Sequence, residues 1–168
     1  MNHSTRISII LNNYLSVYQY ALQMLCNAAF MVMLGDVKSP KFPLLSQTLK
    51  GIWTQYLTAW KDANSSCQLS FAFQRKNLKC NCPGEKFNHP LFPTKPLLLG
   101  FLYLVIRVHR LEFIIPDIIR WIDRGLIPYL TLWDCLPESF KTTIPKSFRR
   151  PFIMQHNHTF GVVTVENN

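Results

Sequence analysis

The stretch that most constrains this chain is Leu91–Pro137, which reads as three consecutive helices with clear punctuation. Thr94 suits an N-cap and Pro96 a first turn, so a helix is expected over 95–110. It is apolar nearly all round, which predicts the buried centre of a bundle. Arg107, His109 and Arg110 gather at its end, where cations favour the helix dipole. A short helix follows over 116–124, with Asp117 near its start and Gly125 as a left-handed stop. Ile118, Ile119 and Ile122 are expected to face inward with Trp121. Pro128 opens a further helix over 128–136, given an apolar side by Tyr129, Leu132 and Trp133 and stopped by Pro137.

Two earlier helices complete a set of five. From Ile7 to Leu34 there is no Asp, Glu, Lys or Arg. A run of that kind suits a membrane span, a signal segment or a buried helix. Its polar residues distinguish these. Ser8, Asn12, Ser16, Gln19, Gln23 and Asn27 are spaced 4, 4, 3, 4 and 4 apart, which sets them along one narrow stripe of a helix. A lipid-exposed span has no reason to keep such a stripe. A core helix with one solvent edge does, so a helix over 5–34 is expected to be buried, with Ser4 or Thr5 capping its start and Gly35 its end. A second helix is predicted over 44–60, where Leu45, Leu49, Ile52, Trp53, Tyr56 and Trp60 share a face.

Residues 61–93 break the periodicity with prolines, asparagines and small polar residues. They read as a long middle loop, with one short strand at Gln68–Phe73. Arg75, Lys76 and Lys79 sit beside Phe71 and Phe73, a mix suited to phosphate neutralisation plus base stacking, or to a solvated loop. Cys67, Cys80, Cys82 and His89 are weak candidates for zinc. Their Cys-x-Cys step is a poor knuckle, because zinc sites usually hold paired ligands with two to four residues between them. After Pro137 the periodicity fades. Lys141, Lys146, Arg149 and Arg150 lie within ten residues with no acid among them, and Pro145 and Pro151 argue against a regular helix. The expected organisation is therefore a helical domain over 1–137 and a basic linker and tail over 138–168.

Composition narrows the function. In 168 residues, 48% apolar and 13% aromatic, one packed domain is affordable. Lys plus Arg number 18 against 9 acids, a net charge of +9, which points to a polyanionic partner. Five cysteines, unevenly spread, fit a reducing compartment better than a disulfide framework. Asn-x-Ser/Thr triplets at Asn2, Asn64 and Asn157 would matter only in a secreted chain. There is no Gly-rich phosphate loop, no Gly-x-Ser-x-Gly and no His-Glu-x-x-His. Binding is thus expected in place of catalysis.

The phrases LFPTKPLLLGFLYL, LEFIIPDIIRWIDRGLIPYL and Leu136-Pro137 resemble the B-type family of RNA polymerase I-specific TATA-box-binding-protein-associated factors. That family is related to transcription factor IIB. GIWTQYLTAW at Gly51–Trp60 is a weaker match to its Trp-x-x-Tyr-Leu helix. The resemblance implies an all-α, single cyclin-like repeat of five helices. It implies a non-enzymatic component of the nucleus and nucleolus that binds the ribosomal-DNA core promoter. The implied partners are promoter DNA, TATA-box-binding protein with its associated factors, and RNA polymerase I, with no small-molecule substrate. The family's zinc ribbon and second repeat have no recognisable counterpart here, so no cofactor is expected. Arg75, Lys76, Lys79, Lys141, Lys146, Arg149 and Arg150 are the candidate DNA contacts. The alternative is a membrane-anchored or secreted helical protein using residues 7–34 as anchor or signal.

Overall fold

A computed structural model of the chain describes residues 3–36, 38–66, 93–149 and 152–153. Among these residues every regular element is helical: α1 His3–Leu34, α2 Lys41–Ser66, α3 Lys95–Val108, α4 Ile115–Asp123, α5 Glu138–Thr143 and α6 Lys146–Arg149. The all-helical class read from the sequence is what forms.

The uncharged N-terminal run is a core helix. Tyr14, Val17, Tyr18, Ala21, Leu22, Leu25, Cys26, Ala29 and Phe30 are buried along one side of α1. Asn12, Ser16, Gln19 and Gln23 are exposed on the other. Burying such a side against neighbours removes its apolar area from water, about 1.5–3 kcal/mol for each large side chain fully enclosed. Gly35 ends α1 with φ 70° and donates its N–H to Met31 O at 2.9 Å. Only a residue without Cβ takes that conformation freely.

Ring contacts give the directions of the long helices. Phe30 meets Phe42 edge-on and Tyr18 stacks on Trp53, so α1 and α2 run antiparallel. Trp53 and Tyr56 meet Phe101, while Thr48 Oγ1 lies 2.7 Å from His109 Nε2, so α2 and α3 also run antiparallel. Two tyrosines one turn apart fix α3 to α1. Tyr14 donates its hydroxyl to Pro93 O at 2.6 Å and Tyr18 donates to Thr94 O at 2.8 Å. Thr94 is the N-cap of α3, though its side chain makes no cap bond.

Several expectations are corrected. α2 starts earlier and ends later than predicted, so residues 61–66 are helix and not loop. α3 is not buried on every apolar side: Leu98, Phe101, Leu102, Val105 and Ile106 are buried, whereas Leu104 and Val108 face solvent. On α4, Ile118 and Ile122 pack inward but Ile119 is 49% exposed. It lies about 100° around the helix from Ile118, beyond the narrow buried stripe. Residues 128–135 form successive turns where the sequence predicts a fifth helix. Leu132 and Leu136 are nevertheless buried, as a turn of helix would place them. Pro137 biases Leu136 away from helical angles, and so short a run gives few bonds to offset nucleation.

The segment after Pro137 is not devoid of helix. α5 ends before Pro145, and α6 fits between Pro145 and Pro151. Ile144 and Phe152, each 1% exposed, belong to the same core as α1 and α3. Phe152 sits among Tyr14, Tyr18 and Trp133, with centroids 5.6, 6.2 and 6.3 Å away. The strand expected at Gln68–Phe73 lies outside the described residues.

Candidate nucleic-acid interface

Three of the cations predicted to meet DNA are among the described residues, and two have work inside the protein. Lys141 Nζ donates to Asp134 O at 3.3 Å and stands 3.6 Å from Glu138 Oε2. It ties α5 to the turns before it. Arg149 Nε donates to Ile144 O at 3.0 Å, and its guanidinium lies over the Trp133 ring at 5.5 Å. That combination closes the chain around α6 and helps seat Phe152. Lys146 is exposed. Arg75, Lys76, Lys79 and Arg150 lie outside the described residues, as do Cys67, Cys80, Cys82 and His89. Among the described residues, no three His, Cys, Asp or Glu side chains gather as metal ligands would.

The antiparallel pairing of α1 and α2 creates a concave surface that sequence reasoning missed. A groove of about 500 Å³ runs between them. Gln19, Gln23 and Asn27 line one wall, and Ser46, Gln47 and Lys50 the other. Leu22, Leu49 and Trp53, each buried, close the floor. Among the described residues, no carboxylate lines it. The α1 wall is part of the polar stripe that the sequence shows as a solvent edge. The signal that finds it is that stripe combined with a linker of six residues between α1 and α2, which turns α2 back along α1.

A scan against protein-family models, curated proteins and solved structures finds no match for this chain. Its own residues are therefore the basis for a functional assignment.

The titratable groups displaced from their ordinary values lie away from the groove. Burial raises the Tyr14 and Tyr18 phenols well above their usual range, and neighbouring tyrosines add to it. Burial likewise raises Tyr56, Tyr129 and the Cys26 thiol. It lowers Lys95, whose ammonium lies 4.8 Å from the Tyr129 ring centroid. None of these groups lines the groove, whose chemistry is that of neutral amides, one hydroxyl and one ammonium. Such a set can donate and accept hydrogen bonds side by side and can meet one negative charge.

Proposed function

We propose that this chain is a nucleic-acid-binding helical domain of an RNA polymerase I core-promoter initiation factor. In this reading it is a cyclin-like repeat that binds ribosomal-DNA promoter and helps assemble the pre-initiation complex in the nucleolus. It acts by binding and not by catalysis, alongside TATA-box-binding protein, its associated factors and the polymerase. The observation that carries the reading is the segment Leu97–Leu136. There the phrase that resembles the family folds as α3, a left-handed turn, α4 and a glycine turn, with Leu98, Leu102, Ile118, Ile122, Ile127 and Leu132 buried in one core. The net charge of +9 favours a polyanionic partner. The test is binding of the purified chain to a labelled ribosomal-DNA promoter duplex across a salt series. Saturable binding that weakens linearly with log salt is expected. Absence of binding at low salt overturns the reading.

One observation favours a second reading, a membrane-anchored or secreted protein. The 26 residues Ile9–Leu34 are long and apolar enough to cross a bilayer. Placing them there would strip the core of nine buried α1 side chains and put Asn12, Gln19 and Gln23 into lipid. Cell fractionation separates the two readings. Retention in carbonate-washed membranes selects the second, and release with nuclear extract the first.

A further inference from the structure

The α1–α2 groove has a composition unlike an ordinary phosphate-binding surface. Its walls carry four carboxamides and a single cation, Lys50. A site for a phosphate cluster alone would be built from arginines and lysines. A site for an apolar helix would not be walled by amides. What four amides above an apolar floor do match is the edge of a heterocyclic base, where donor and acceptor atoms sit side by side. A Gln or Asn amide pairs with adenine through N6 and N7 in that manner. The α1 wall from Gln19 to Asn27 is about 12 Å long by helical rise. That length, with a volume of about 500 Å³, accommodates one nucleotide and is too small to enclose a duplex. The surroundings also suit a polyanion. α1 has no acid in its length, and on the groove side of Asp62 the two helices carry none.

We propose that this groove holds an unpaired adenine nucleotide of a single-stranded nucleic acid. Gln23 and Gln47 read the base edge from opposite walls, Leu22 and Leu49 support it from below, and Lys50 meets the flanking phosphate. The proposal rests on the nucleic-acid reading for the class of its ligand, and adds the site, the strand form and the base.

The test measures anisotropy of labelled oligodeoxyadenylate, oligodeoxythymidylate and promoter duplex with the full chain. Oligodeoxyadenylate is expected to bind at least about fivefold tighter than oligodeoxythymidylate, the lower end of what one amide–adenine pair discriminates. Gln23→Ala and Gln47→Ala should remove that preference, while Lys50→Ala should weaken both oligonucleotides alike. All three side chains are exposed, so unchanged melting curves are expected and confirm that each variant folds. Equal binding of the two oligonucleotides, or a preference that survives both glutamine variants, overturns the proposal. Duplex binding without any effect of the three variants sinks this site and spares the promoter reading. Oligodeoxyadenylate binding in a chain that ignores the promoter duplex supports the groove and sinks the promoter reading.

Discussion

Arg110 and Gly125 occupy equivalent places and meet them differently. After α3, Arg110 takes φ 51° and Leu111 returns its N–H to Ile106 O at 3.0 Å. After α4, Gly125 takes φ 71° and Leu126 returns its N–H to Trp121 O at 2.9 Å. Both are left-handed helix stops in which the chain closes back on the last turn. Glycine enters that region freely, and an arginine with its Cβ does so at a cost of about 1 kcal/mol. Arg110→Gly is therefore expected to stabilise the protein by about 0.5–1 kcal/mol, and Gly125→Ala to destabilise it by a similar amount. Opposite shifts in thermal midpoint would check the pair. The Gly125 stop is readable from the sequence because the residue type names it. The Arg110 stop is not, because arginine at that place looks like a dipole-matched helix end.

Tyr14 and Tyr18 bring a pH dependence of known sign. Their folded pKa values are raised above the ordinary value of 10.0, first by burial. Tyr56 and Cys26 are shifted the same way by burial. A group raised in the folded state favours folding fully below its unfolded pKa, and that contribution is lost as pH climbs above it. Stability should thus hold up to about pH 9, where the Cys26 thiol ionises in the unfolded chain, and fall more steeply beyond about pH 10, where the tyrosines do. The paired variant Tyr14→Phe/Tyr18→Phe should start less stable, because buried Pro93 O loses its donor at about 1–3 kcal/mol, whereas Thr94 O keeps the Leu97 N–H. It should also fall less steeply on the alkaline side. Denaturant midpoints across pH measure both effects, and an unchanged alkaline slope would contradict the assignment.

Among the elements, α1 is the most legible and the segment after Pro137 the least, for the same physical reason. A helix of 32 residues samples its periodicity many times, so a stripe of Asn12, Ser16, Gln19 and Gln23 stands out. Residues 138–153 contribute only two deeply buried side chains among those described, Ile144 and Phe152, separated by basic residues and prolines. Two positions establish no period, and the cations dominate the reading. The run 128–136 shows the opposite failure. Leu132 and Leu136 have helical spacing and are buried, yet the backbone closes as turns, with Asp134 and Cys135 both donating to Thr131 O. Spacing reports which side chains go inside before it reports the hydrogen bonding between them. Phe152→Ala is expected to cost about 3–5 kcal/mol, as for a fully enclosed phenylalanine. A surface tail would give a change within about 0.5 kcal/mol, so equilibrium unfolding in urea separates the two cases.

At the scale of the molecule, the question is which charges remain for a partner. The sequence presents Lys141, Lys146, Arg149 and Arg150 as one basic cluster, since spacing cannot show which ammonium or guanidinium is already engaged. The fold divides them. Lys141 is bound to Asp134 O and Glu138, and Arg149 to Ile144 O and the Trp133 face, whereas Lys146 is exposed. The groove between α1 and α2 is illegible for a related reason. Its walls come from residues about 20–30 apart in the chain, and neither helix alone distinguishes a solvent edge from half of a cleft. A salt titration with the promoter duplex then has an ordered outcome. If Lys146 neutralises a phosphate, Lys146→Ala should lower the slope of log affinity against log salt by about 1 and leave the melting temperature unchanged. Arg149→Ala should lower the melting temperature, because it removes a hydrogen bond and a cation–ring contact each worth about 0.5–1 kcal/mol. Lys141→Ala should do so more weakly, its ion pair with Glu138 being partly open to solvent. Should Arg149→Ala flatten the salt slope as much as Lys146→Ala while melting normally, its guanidinium faces the partner and not Trp133. The C-terminal segment would then be an arm laid on nucleic acid, held to the core by Ile144 and Phe152.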